Sequence, residues 1–391
     1  MEKKFWMICF THMFLEVYLM IQVALIPVYI KEFQLSLLEA SLVATIPSFV
    51  QLLMNVPSGF LVDRFSAKHL LFASMMIEGG SALVLSQTNS FWTLVLAVSV
   101  LKLSSPVYHV AGLSQISRSV DQNRMSRSIG FHNALGGLGV AIGLLTLTAS
   151  LPTIGWRGTY LAWAFPILVW GFIILRFLKV EKVSEKKVAE TRGNLSRIWV
   201  VLSGAFVVFL AAIGLREVGN TVTTTYMTTY LVQFRGLSET TASLIFGLGP
   251  FMGVVGSLSG GLLGEKINPK KALSLSILGC ASSLALVGAT SQLFLLSVLY
   301  VVYSFFSHSI WVPMNTMVAD ISPSTDRGLS YSIYFFSEGL IAAIAPTAAA
   351  AAIGLYNIWY IIPFSIAFLI AGLIVLQFLP YSKARSRDQG Q

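Results

Sequence analysis

Val56-Pro57-Ser58-Gly59-Phe60-Leu61-Val62-Asp63-Arg64-Phe65-Ser66-Ala67-Lys68 is echoed about 200 residues later by Leu258-Ser259-Gly260-Gly261-Leu262-Leu263-Gly264-Glu265-Lys266-Ile267-Asn268-Pro269-Lys270. A glycine, an acid, a base and a lysine recur in register at Gly59/Gly261, Asp63/Glu265, Arg64/Lys266 and Lys68/Lys270. Further along, Tyr108 aligns with Trp311, Arg124 with Arg327 and Gly136 with Gly339, at an offset shifted by a single residue. Each copy lies between long apolar runs, so the chain reads as two related halves.

Working outward, 55% of the 391 residues are hydrophobic and 11% are charged, against roughly 25% charged in soluble domains. The mean hydropathy is +0.76. A helix needs roughly 20 apolar residues to cross the hydrocarbon. Such spans are expected at 5–30, 38–61, 69–88, 92–117, 128–150, 159–178, 198–232, 239–263, 271–289, 292–319, 328–354 and 357–379. The expected fold is therefore an all-α integral membrane protein with twelve transmembrane helices in two pseudo-symmetric six-helix bundles. Its domains are an N-terminal bundle at 1–179, a charged cytoplasmic linker at 180–197, a C-terminal bundle at 198–379 and a tail at 380–391. Internally repeated halves of this kind are the build of secondary transporters, whose site lies between them near the bilayer midplane.

Nearly all basic residues fall at one side of these spans, leaving Lys31, Arg157 and Arg235 at the other. The positive-inside rule then puts both termini and the linker in the cytoplasm of a cell (inner or plasma) membrane. The net charge of +9 is mostly topology, with anionic lipid headgroups as its expected partner rather than nucleic acid. Cys9 and Cys280 fit neither a disulfide framework nor a metal spacing. No cofactor and no metal is expected, no nucleophile and base constellation argues for an enzyme, and no phosphate-binding Gly-x-x-x-x-Gly-Lys loop argues for ATP.

The segment Gly59 to Lys68 resembles the signature loop of the major facilitator superfamily, with Ser66 in place of the usual glycine and Ala67 in place of the usual first base. With twelve spans, the resemblance covers the whole chain. It implies gating roles for Gly59, Asp63, Arg64 and Lys68, with Arg124 or Arg127 as partners. A carboxylate at a helix end can pair with such cations or with a facing helix N-terminus for roughly 0.3–2 kcal/mol. A narrower stretch, Pro106 to Gly112, Arg127 to Gly139 and Gly155-Trp156-Arg157, is similar to the fosmidomycin-resistance branch of drug exporters. Helix 5 here carries Gly136-Gly137 where proton antiporters of the family usually carry Gly-Pro.

Ionisable residues inside spans are costly and usually functional. Most of them fall on helices 1, 4, 7 and 10, which line the cavity in the fold that the resemblance implies, with Glu78 on helix 3, His132 on helix 5 and Glu338 on helix 11 besides. His12 and Glu16 share a face of helix 1 at i, i+4. With Glu217 and Glu338 they are the expected proton-coupling residues. Lys102 and Arg216 sit near mid-span in opposite halves and suit an anion, with Tyr108, His109, Tyr226, His308 and Trp311 as further substrate-binding candidates. The alternative for the two cations is ion pairing with Glu16, Glu217 and Glu338. Glu78 on helix 3 has no reading from sequence, and His109, His132 and His308 share no ligand spacing. The threonine-rich end of helix 7 is expected to face the outer half of the pathway, and the glycines of helices 5 and 8 to form sliding contacts between halves.

The function expected from these observations is proton-coupled alternating-access transport of a small organic solute, more anionic or zwitterionic than cationic, by a monomer. The alternatives are a multidrug/proton antiporter for lipophilic compounds and a membrane sensor that no longer transports.

Overall fold

A computed structural model describes residues 3–119, 125–179, 199, 201–202, 204–322, 327–354 and 356–381. The described residues are helical with no strand. Helix α1 runs as Lys3–Glu16, Ile21–Ala24 and Ile26–Phe33, followed by α2 (Leu37–Arg64) and α3 (Ala67–Leu85). Helix α4 is Phe91–Lys102 with Ser104–Ser119, and Met125–Phe177 contains α5 and α6 on either side of Gly155. Then come α7 (Gly204–Gln233), α8 (Glu239–Leu248 with Phe251–Ile267), α9 (Pro269–Ala289), α10 (Leu293–Ser309 with Trp311–Ile321), α11 (Arg327–Ile353) and α12 (Ile361–Gln377). Ten stretches of described residues are long and apolar enough to cross a membrane. One of them, Ser128–Phe177, is 50 residues long and holds both α5 and α6. Helix α3, with Lys68 and Glu78 inside it, falls outside those ten.

Local chemistry explains the boundaries. Ser36 opens α2 with a capping box, its Oγ accepting from the Glu39 amide while Glu39 accepts from the Ser36 amide at 2.8 Å. Ser90 and Ser238 cap α4 and α8 through Thr93 and Thr241, and Asn268 with Pro269 opens α9. Gly155 adopts φ 67°, a backbone region that a Cβ disfavours, and so turns the chain between α5 and α6. Helices α4 and α10 break just ahead of Pro106 and Pro313, because proline removes an amide donor and crowds the carbonyl four residues back.

The chain divides into two compact units: Met1–Thr191 with Thr224–Phe251 and Ala343–Ile358, and Arg192–Thr223 with Met252–Ala342 and Trp359–Gln391. In the first unit α5 lies directly on α1. A Cβ on Gly139 or Gly143 would run into the carbonyl oxygens of Met13 and Val17. Helix α6 lies on α3 through Gly79 against Leu168 and Gly171 against Met76. Gly247 of α8 faces the other half of the chain, where a Cβ would meet Leu144 of α5 at 3.2 Å. Gly139 and Gly143 face α1 of their own half, because only glycine admits so close a backbone approach. In the second unit Gly256 and Gly260 of α8 meet the Phe305 and Ser309 carbonyls of α10, and Gly372 of α12 meets the Ala212 carbonyl of α7.

Candidate functional site

The first unit gathers His12, Glu16, Tyr108, His109 and His132 around one point. Helix α1 presents His12 and Glu16 on one face, with His12 Nε2 3.3 Å from Glu16 Oε1. Helix α4 brings His109, whose Nε2 lies 3.4 Å from the same oxygen. Sequence spacing paired His12 with Glu16 but gave no sign that His109 would join them. His12 Nδ1 donates to the His132 carbonyl at 2.9 Å, and its ring stacks on the His132 ring with centroids 4.0 Å apart. Gly136 permits this, since a Cβ there would press into the His12 ring. His132 Nε2 in turn donates to the Tyr108 hydroxyl at 3.0 Å, which donates to the Ile8 carbonyl at 2.8 Å. Tyr108 is therefore fully buried and engaged within the cluster.

Beside this cluster lies Lys102, at the break in α4 and buried, with Nζ 3.5 Å from the Leu19 carbonyl. Its charge interacts with both Glu16 and Glu78. Glu78 of α3, unexplained by sequence, faces inward: it is buried, accepts from the Ser104 hydroxyl and lies on the same side as Lys102.

The second unit holds a triad built on a buried arginine. Arg216 of α7 is 1% exposed; its Nη1 is 2.5 Å from Glu217 Oε2 and 3.9 Å from Glu338 Oε1 on α11. Glu217 Oε1 also accepts from Thr221 at 2.9 Å. Asn220 receives the hydroxyls of Ser307 at 2.8 Å and Tyr303 at 3.3 Å from α10. The Arg216 Nε is buried without a hydrogen-bond partner among the described residues, and the Tyr334 hydroxyl and the Glu338 carboxylate interact with each other. One guanidinium and two carboxylates in one buried place leave a formal deficit of one positive charge.

The remaining substrate candidates are placed otherwise. Tyr226 is buried with its hydroxyl on the Pro346 carbonyl at 2.8 Å. His308 donates to the Ser304 carbonyl at 2.7 Å and packs against Gly253. Trp311 is 42% exposed. At the threonine-rich end of α7, Thr223, Thr225, Thr228 and Thr229 are buried, with Thr228 donating to the Val23 carbonyl at 3.3 Å. Of the gating set, Gly59 is half-buried, Arg64 exposed and Lys68 half-buried. Arg124 and the linker 180–197 lie outside the described residues, as do the side chains of Asp63 and Arg127 and all of the tail beyond Tyr381. The Gly155-Trp156-Arg157 motif acquires a place. Arg157 donates twice to the Thr88 carbonyl (2.9 and 2.6 Å), pairs with Glu32 at 2.5 Å and covers the Trp156 ring, whose Nε1 also donates to Glu32 at 2.7 Å. Those contacts tie together the ends of α1, α3 and α6.

Among known proteins, the chain is 25% identical over 280 residues to the "Probable nitrate transporter NarT" of Staphylococcus carnosus (strain TM300), covering 70% of this chain and 69% of that one. It is 24% identical over 330 residues to the "Fosmidomycin resistance protein" of Escherichia coli (strain K12), covering 82% and 80%. Among solved structures, a point mutant of the nucleoside transporter NupG superposes with a TM-score of 0.84 over 97% of this chain and all of that one, at 11% identity, a likeness of fold. The family model of the Major Facilitator Superfamily matches residues 7–281 and again 209–391. Two overlapping matches that together span the repeated halves, on an all-helical multi-pass fold, make this chain a member of the Major Facilitator Superfamily of transporters.

Proposed function

We propose that the chain is a proton-coupled secondary transporter of a small anionic or zwitterionic solute, working by alternating access in the cell membrane with both termini cytoplasmic. The observation that carries this reading is the Arg216–Glu217–Glu338 triad. A largely buried set with one negative charge in excess is costly unless it takes up a cation, and Glu338, which Arg216 reaches only at 3.9 Å against 2.5 Å for Glu217, is where a proton fits. Loading and releasing that proton couples the triad to a gradient. Lys102 supports the solute class. No carboxylate among the described residues lies within ion-pair distance of its ammonium, so its donors are available to an anionic group. Arg216 is engaged by Glu217 and Glu338, the ion-pair alternative read from the sequence, so Lys102 is the cation proposed for the anion, and the relative named as a probable nitrate transporter agrees with an anionic cargo.

The test is uptake into proteoliposomes holding the purified full chain, with nitrate, small carboxylates and amino acids as solutes and an imposed pH gradient. The gradient should drive accumulation of one of the anions. Glu338→Gln, isosteric with the protonated acid, should abolish accumulation against a gradient while leaving solute exchange intact, and Lys102→Ala should weaken binding roughly tenfold or more, as the loss of a charged hydrogen-bond partner of 1.5–3 kcal/mol implies. Accumulation that survives a protonophore would overturn the coupling. The fosmidomycin-resistance relative favours a second reading, drug/proton antiport. Thermal stabilisation by lipophilic cations alone, equal in wild type and Lys102→Ala, would select it.

A further inference from the structure

We propose that His12 Nε2, Glu16 Oε1 and His109 Nε2 bind a divalent transition metal ion of the borderline-soft class to which Zn²⁺, Co²⁺ and Ni²⁺ belong. The argument starts from the tautomer of His12. A carbonyl oxygen only accepts, so the contact of His12 Nδ1 with the His132 carbonyl at 2.9 Å puts the proton of the neutral ring on Nδ1. The lone pair of Nε2 then points at Glu16 Oε1, 3.3 Å away. His109 Nε2 approaches that oxygen from another helix at 3.4 Å. In the neutral His12 ring, Nε2 and Glu16 Oε1 are both acceptors, and two acceptors that face one another need a cation between them.

Distance separates the two candidates for that cation. A proton shared directly between imidazole and carboxylate draws the heavy atoms to about 2.7–2.9 Å. A metal with bonds of about 2.0–2.1 Å to histidine nitrogen and carboxylate oxygen holds tetrahedral ligand atoms about 3.3–3.4 Å apart. The two edges from Glu16 Oε1 have the longer value, and all three ligand atoms lie within 4.8 Å of one another. Two imidazoles and one carboxylate are a donor set that divalent metals from iron to zinc accept. The support around the ligands is the kind that metal-bound histidines carry, with the non-ligating nitrogen donating to a backbone carbonyl. The stacked His132 ring and the close approach of Gly136 hold the imidazole plane.

The site is closed on one side and open on the other. The side chains of His12 and Glu16 are 7% and 10% exposed, whereas that of His109 is 37% exposed. An ion can therefore enter past His109, and its remaining coordination positions face that opening, free for water or for a donor atom of a solute. The neighbouring titratable groups are Lys102, which opposes a cation, and Glu78 near it; His132 is engaged by Tyr108. This inference goes beyond the transport reading and does not depend on it.

The experiment is a titration of tag-free full-length protein in detergent with Zn²⁺ by calorimetry and with Co²⁺ by absorption spectroscopy. One ion per chain is expected, with the intense visible bands of low-coordinate Co²⁺. Glu16→Gln and His109→Ala should each weaken binding by roughly tenfold or more, since even residues that only orient a ligand are worth 10–100-fold. His69→Ala, an exposed histidine at the start of α3, should leave it unchanged. His109 is partly exposed, so its variant is expected to fold, and His109→Gln run in parallel keeps a polar side chain there. Absence of one-to-one binding, or binding that His109→Ala leaves untouched, overturns the proposal and makes the shared cation a proton. The readout is binding rather than transport, so failure here leaves the transport reading standing, and failure of uptake in proteoliposomes leaves this site standing.

Discussion

Arg216 lies 1% exposed between two carboxylates, so removing it does more than delete a cation. Arg216→Ala would leave Glu217 and Glu338 as uncompensated buried charges, and breaking a buried pair in this way costs about 3–5 kcal/mol. The expected result is a large drop in thermal stability in detergent, recovered in good part by adding Glu338→Gln. A single variant as stable as wild type would mean that water or another cation already serves the two glutamates. The residues of this triad were legible as ionisable groups in spans, but their pairing was not. Arg216 and Glu217 are neighbours whose side chains diverge by about 100° along a helix, yet the Arg216 side chain is long enough to meet Glu217 at 2.5 Å while reaching towards α11. Glu78 was unreadable for a related reason: its partners Ser104 and Lys102 lie on another helix, and only packing brings them together.

Helix α5 shows what pattern at the level of an element can and cannot give. Its glycines marked a close approach, and one occurs, but the partner is α1: Gly139 and Gly143 sit over the Met13 and Val17 carbonyls. That seat also fixes the histidine cluster, since Gly136 one turn earlier accommodates the His12 ring. Gly139→Val forces side-chain atoms into the Met13 backbone, and overpacking of this sort costs about 1–3 kcal/mol. Thermal unfolding should register that loss, and Co²⁺ binding at His12 should weaken with it as α1 is pushed away. Gly137→Ala, where an added Cβ meets nothing within 4 Å, is the control and should match wild type in both measurements. The spans themselves were readable because a run of about 20 apolar residues has few other uses, and the turn between α5 and α6 fell where the apolar pattern lapsed at Gly155. The junction of His109 with His12 and Glu16 was not readable, because i, i+4 spacing reports only contacts within one helix.

A transporter must present its solute to one side of the membrane and then to the other, so some contacts between its repeated halves have to part in every cycle. The first unit contains a set that joins the two halves of the chain. Ser41 and Thr45 of α2 bond to the Thr347 hydroxyl of α11 at 2.9 and 2.8 Å, and Thr228 of α7 donates to the Val23 carbonyl of α1 at 3.3 Å. Hydroxyl pairs of this kind are worth only about 0.5–1.5 kcal/mol each, which suits contacts that are made and broken repeatedly. Ser41→Cys with Thr347→Cys, in a background where the buried Cys9 and Cys280 are replaced, places two thiols where oxygens now lie 2.9 Å apart, close enough for a disulfide to form with little backbone movement. Oxidation should then stop solute uptake into proteoliposomes and reduction should restore it, while each single cysteine variant transports in either condition. Uptake at the wild-type rate by the fully crosslinked protein would mean that α2 and α11 stay together through the cycle, and the parting contact would have to be sought elsewhere along the two halves.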